Sequence, residues 1–124
     1  MPDFSFLILY VDNPPKSAAF YADLLERKVH EQSPTFAMLP LSDAIMLGLW
    51  ARQAVEPAAT GAVGAGEIAF TAADAAALSN LHDQWAARGL TIVQAPTKMD
   101  FGTTFVALDP DGHRLRVFVP GAAS

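Results

Sequence analysis

The strongest constraint in this sequence is an internal repeat. Residues 44–50 (AIMLGLW) align without a gap with residues 112–118 (GHRLRVF), and the same order of elements can be read around each. In the first half, the bulky apolar run at residues 6–11 reads as a strand. Asn13 can cap a helix that takes Pro14 in its first turn, where a missing N–H costs nothing. That helix runs to about Glu26, with Ala19, Phe20 and Leu24 on one face. Short strands are expected at residues 29–32, 35–39 and 44–50.

The second half repeats the order. Residues 67–71 form a strand, Asp74 caps a helix whose buried face carries Leu78, Leu81 and Trp85, and Gly89 suits a left-handed stop. Strands follow at residues 91–94, 103–108 and 114–119, the last two joined by the turn Asp109-Pro110-Asp111-Gly112. Residues 51–66, rich in small residues and without apolar periodicity, read as a linker. The prediction is an α+β fold: a single domain spanning residues 1–124, with module one at about 4–50 and module two at about 67–119. Each βαβββ unit has a sheet face that it cannot bury alone, so the units should combine, within one chain or by exchange between two.

Alternation along the strands sorts the residues into two sets. Leu7, Leu9, Val11, Ile45, Leu47, Leu49, Ile68, Phe70, Leu115, Val117 and Val119 are uniformly apolar, as a helix-covered face requires. The opposite set mixes aromatic and charged residues: Phe6, Ile8, Tyr10, Met46, Gly48, Trp50, Glu67, Ala69, Thr71, Arg114, Arg116 and Phe118. Such a mixture suits ligand contact.

Composition excludes several functions. There are no cysteines, so disulfides, thiolate zinc sites and a thiol nucleophile are ruled out. A net charge of −5 argues against nucleic acid or an anionic membrane as partner. No apolar run approaches the ~20 residues that cross a bilayer, and the first strand ends in a turn without a preceding basic segment. A cytoplasmic protein is expected. No Ser-His-Asp set, phosphate-binding glycine loop or nucleotide fingerprint is present.

Three stretches carry a family resemblance. They are residues 6–25, with Val11-Asp12-Asn13 leading into Lys16-Ser17-Ala18-Ala19-Phe20-Tyr21; residues 67–71; and residues 101–118, with Gly102-Thr103-Thr104 and Asp109-Pro110-Asp111-Gly112. In order, spacing and duplication the chain resembles the glyoxalase/bleomycin resistance/extradiol dioxygenase (vicinal oxygen chelate) superfamily. The resemblance implies two βαβββ modules whose sheets curl around a cleft, helices outside, commonly in a homodimer. It also implies metal ligands at positions that here hold Phe6, Gly48, Glu67 and Arg116. Phe and Gly offer no ligand and Arg is a fixed cation, so no metal and no other cofactor is expected. His30, His82 and His113 have no partner at ligand spacing. The chain then looks closest to the metal-free branch, similar to resistance proteins for bleomycin and phenazines.

The expected function is binding of a planar or aromatic small molecule, such as an antibiotic, by Trp50, Phe6, Tyr10, Met46, Phe36, Met38, Glu67, Arg114, Arg116 and Phe118. Trp50 has two readings, as a stacking platform or as filler of the sheet interface. Glu67 and Arg116 likewise read either as an ion pair closing the vacated metal position or as groups that meet a ligand. The rival function is an enzyme of the same fold: a lyase, isomerase or dioxygenase, using metal ligands placed elsewhere or Glu67 as a metal-free base. A carboxylate paired with a guanidinium is a poor base at neutral pH. Met99-Asp100-Phe101 could act as a lid or be an ordinary loop.

Overall fold

In the computed structural model, residues 3–121 are described, and the chain divides into two compact units with the boundary between Ala65 and Gly66. The first unit runs β1 (Phe6–Val11), α1 (Pro14–Leu25), β2 (Glu31–Gln32), β3 (Phe36–Pro40) and β4 (Met46–Ala51). The second runs β5 (Glu67–Thr71), α2 (Ala75–Ala87), β6 (Ile92–Met99), β7 (Gly102–Leu108) and β8 (Arg114–Pro120). Each holds one four-stranded mixed sheet, ordered β1-β4-β3-β2 and β5-β8-β7-β6. The repeat seen in the sequence is therefore a repeat of topology: in both units the first strand lies parallel to the last, and the other neighbours are antiparallel.

Both helices start where their caps place them. The Asn13 side chain accepts from the backbone N–H of Lys16, and Asp74 accepts from that of Ala77. Gly89 sits at φ +89° just past α2, a backbone shape that costs a glycine nothing. One face of each sheet is sealed by its helix. Leu9, Val11, Leu47 and Leu49 are buried with Ala18 and Tyr21 in the first unit; Ile68, Leu115 and Val117 are buried with Leu78 and Trp85 in the second. Trp85 meets Phe70 and Phe105 edge-on, at centroid distances of 6.4 and 5.4 Å. Leu7, Ile45, Phe70 and Val119 are only partly covered.

Several expected boundaries move. The strand expected at residues 29–32 is reduced to Glu31–Gln32, both exposed. The one expected to end at Gln94 continues to Met99 across two register shifts, which absorb Pro96 in an edge strand. Met99 thus ends a strand, and Asp100 and Phe101 form a tight hairpin turn instead of a lid. Gly102 follows at φ +138°, with its α-carbon so close to β8 that a Cβ would lie 1.9 Å from the Val119 carbonyl oxygen. Only glycine fits there.

The segment expected to be a plain linker is partly built into the first unit. Ala51 completes β4, Arg52–Ala54 forms one 3-10 turn, and Val55 is buried. The Arg52 guanidinium donates to the Gly61 and Ala59 carbonyls at 2.6 and 3.5 Å, which ties the loop back to the end of β4.

Candidate functional site

Each sheet turns its other face away from its helix, and the sequence-predicted site residues lie on those faces. In the first unit the strand register sets them out in rungs. Phe6 lies beside Met46 and then Pro40; Ile8 beside Gly48 and then Met38; Tyr10 beside Trp50 and then Phe36. Phe36 therefore shares the face of Trp50. Their rings meet edge-on at 6.3 Å and 86°. The third rung is aromatic across all three strands. Phe6, Ile8 and Tyr10 are 38–42% exposed, an unusual degree for adjacent bulky residues on one strand.

In the second unit the same face is polar. Arg116 donates from Nε to Glu67 Oε2 at 2.9 Å and from Nη2 to Glu67 Oε1 at 3.3 Å, a forked pair that occupies both carboxylate oxygens. Its Nη1 donates to Thr104 Oγ1 at 3.2 Å and, at 3.4 Å, to Gln94 Oε1. Thr104 is fully buried and passes its own proton to the Val117 carbonyl. The guanidinium also lies 5.8 Å from the Phe101 ring centroid, and that ring stacks edge-on with Phe118. Sequence reading paired Glu67 with Arg116 and noted Phe101 only as part of a possible lid, but missed Gln94 and Thr104. Gln94 could be phased only after the bulges in β6 were known.

Arg114 behaves differently. It stands directly opposite Glu67 in the strand register, yet Glu67 reaches diagonally to Arg116. The Arg114 side chain is exposed and makes no hydrogen bond or ion pair with the described residues. It borders a recess of ≈ 310 Å³ lined also by Val93, Gln94, Met99, Val106 and Arg116.

The positions that the fold implies for a metal do not fit one. Phe6 carries no donor atom, Arg116 is a cation, and Glu67 spends both oxygens on that cation. Gly48 carries no donor, and a side chain there would be tight: a Cβ would come within 3.2 Å of Ile8 and 3.3 Å of the Phe36 ring. One expectation about histidine needs correction. His113 does have partners, because the β7–β8 turn folds it back on Asp109 and Asp111, with potential ligand atoms of all three within 4.8 Å. Asp109 Oδ1 accepts the backbone N–H groups of Asp111 and His113, and its Oδ2 lies 2.8 Å from His113 Nδ1. These bonds are the internal framework of the turn, with Asp109 and His113 buried. His82 packs edge-on against Phe105, 5.4 Å between centroids, beside Asp83.

Known proteins share this architecture. A protein of Agrobacterium tumefaciens solved in solution by NMR is 46% identical, with a TM-score of 0.87 over 98% of this chain and 100% of its own. A glyoxalase/bleomycin resistance protein/dioxygenase from Nocardioides superposes at TM-score 0.82 with 19% identity, over 100% of this chain and 89% of its own, a likeness of fold alone. The phenazine antibiotic resistance protein EhpR of Enterobacter agglomerans is 26% identical over 113 residues, 89% of this chain and 86% of that protein. Residues 4–117 match the family pattern throughout, and the chain belongs to the Glyoxalase/Bleomycin resistance protein/Dioxygenase superfamily.

Proposed function

We propose that this protein binds and sequesters a planar aromatic small molecule, of the kind an antibiotic presents, without a metal ion. The observation that carries this reading is the rung Tyr10–Trp50–Phe36, an aromatic strip on a sheet face its own helix does not cover. Flat rings stack on such a strip with a gain of ~0.5–1.5 kcal/mol per contact beyond area burial. The likeness to a phenazine resistance protein points the same way. Metal independence is supported by donor chemistry: the fold's implied ligand positions offer one carboxylate, already neutralised by a guanidinium. The same ion pair weighs against catalysis by Glu67, because both of its oxygens already accept from Arg116. The reading takes the protein to be a cytoplasmic homodimer, in which a second copy covers part of the exposed apolar surface at Phe6 and Ile8.

Thermal denaturation against a panel of phenazines, other planar antibiotics and non-planar controls tests the proposal. A ligand at a hundred times its Kd adds ~2.7 kcal/mol of stability, which raises Tm by about 10 °C for a chain of this size. No shift with any planar compound would withdraw the reading.

A further inference from the structure

Two partners of Gln94 fix which way its amide points. Arg116 Nη1 donates to Gln94 Oε1 at 3.4 Å, so the oxygen end is engaged and the nitrogen end turns away from the guanidinium. That nitrogen, Nε2, donates to Met99 Sδ at 3.6 Å. Arg116 is itself held by Glu67 and Thr104, which gives the amide a fixed reference. The sulfur end of the contact is equally well placed. Met99 closes β6 opposite Gly102, where the hairpin lies too tight against β8 to admit a Cβ.

A thioether sulfur carries two lone pairs, and Gln94 covers one of them. The other stays open, because Met99 is 42% exposed and lines the recess bounded by Arg114 and Arg116. Among the described residues it is the one exposed methionine; Met38 and Met46 are half-buried on the first unit's rungs. Oxidation of methionine follows access to its sulfur. The product suits the site as well. A sulfoxide oxygen is a strong acceptor, and the recess wall carries two guanidinium groups and a carboxamide.

We propose that Met99 is an oxidative modification site, converted by hydrogen peroxide to one epimer of methionine sulfoxide in excess. The open lone pair attacks a peroxide oxygen, the O–O bond breaks, and the proton of the new S–OH moves to the departing hydroxide to give water. Sulfur gives up two electrons and the peroxide accepts them, so no further reactant is required. Gln94 is a positioning residue: by holding one lone pair it favours addition of oxygen from the other side. The assignment is independent of the ligand reading, since both residues and the recess belong to the second unit.

The test adds dilute hydrogen peroxide to the protein at pH 7 and follows sulfoxide at each methionine by peptide mass spectrometry. The epimers at Met99 are told apart by treating the digested peptides with two reductases, one specific for each. Wild type should oxidise Met99 at least about fivefold faster than Met38 or Met46. One epimer should exceed the other by about four to one, as a weak hydrogen bond guarding one lone pair would confer. Gln94→Glu keeps an acceptor for Arg116 but has no N–H to give the sulfur at this pH. It should oxidise Met99 up to about twofold faster, because both lone pairs are then open, and its epimers should approach equal amounts. Met99→Leu should lose the fast phase altogether. Oxidation of Met38 or Met46 as early as Met99 would overturn the site. So would equal epimers in wild type, a result that depends on no variant folding. An epimer excess that persists in Gln94→Glu would overturn the role given to Gln94.

Discussion

Replacing each tryptophan in turn separates a ligand platform from a core residue within one molecule. Trp85, on the buried face of α2, is 4% exposed and has two edge-on aromatic neighbours. Truncating it to alanine should cost ~3–5 kcal/mol, about 12–20 °C in Tm at roughly 4 °C per kcal/mol for a chain of this length. Trp50 is half-buried on an open face and has one edge-on partner, Phe36. Trp50→Ala should forfeit that pair and some area, about 1–2 kcal/mol, or 4–8 °C. Its effect on binding should be larger: loss of a stacking surface should weaken a planar ligand at least tenfold, at ~1.4 kcal/mol per decade. Denaturation with and without ligand reads both quantities. Fluorescence gives an independent view, because Trp50 is the more accessible of the two tryptophans and should be quenched by ligand while Trp85 is not. A Trp50→Ala protein that binds normally yet melts 12 °C or more below wild type would show that Trp50 is core and that the aromatic rung is no platform.

Four further outcomes are expected. Purified, dialysed protein should carry no stoichiometric Zn, Ni, Mn or Fe by elemental analysis, and one tightly held ion per chain would refute metal independence. Asp109→Ala removes three hydrogen bonds within the β7–β8 turn and should cost about 2–4 kcal/mol by urea denaturation; a neutral result would show that the buried Asp109–His113 contact is not structural. Gly102→Ala should cost about 2 kcal/mol or more, because the new methyl must displace the Val119 carbonyl, and a stable Ala variant would disprove that close approach. Sedimentation at micromolar concentration should give a homodimer, with an interface of at least ~2,000 Å²; a monomer would refute it.

Where local chemistry decides a feature, the sequence reads well. Asn13 and Asp74 announce helix starts because a short side-chain acceptor next to unpaired N–H groups has few other uses, and Gly89 announces a stop for an equally local reason. The alternation of β1, β4, β5 and β8 survives because their buried sides cannot tolerate polar residues. The Glu67–Arg116 pair could be anticipated because the two residues fall on one face of neighbouring strands. What escaped notice depends on chain segments meeting. The exposed edge strand β6 has little burial to pattern it, and its bulges scramble parity. The link from His113 to Asp109 exists only once the turn bends the chain back. That Glu67 pairs with Arg116 and not with Arg114, its neighbour in register, depends on a diagonal reach that residue spacing alone does not reveal.

The packing of Phe36 over Gly48 also bears on what this lineage can become. A histidine at position 48 would bring its Cβ to 3.2 Å from Ile8 and 3.3 Å from that ring, so both side chains would have to give by a few tenths of an ångström to admit it. Clearing Phe36 first would open space beside Trp50 and weaken the aromatic strip. Turning Glu67 toward any other partner would meanwhile strand Arg116 beside a buried hydroxyl. Each of these changes is penalised until the others are in place. Under selection acting one substitution at a time, such coupled positions behave as an epistatic ratchet, each holding its neighbours where they are.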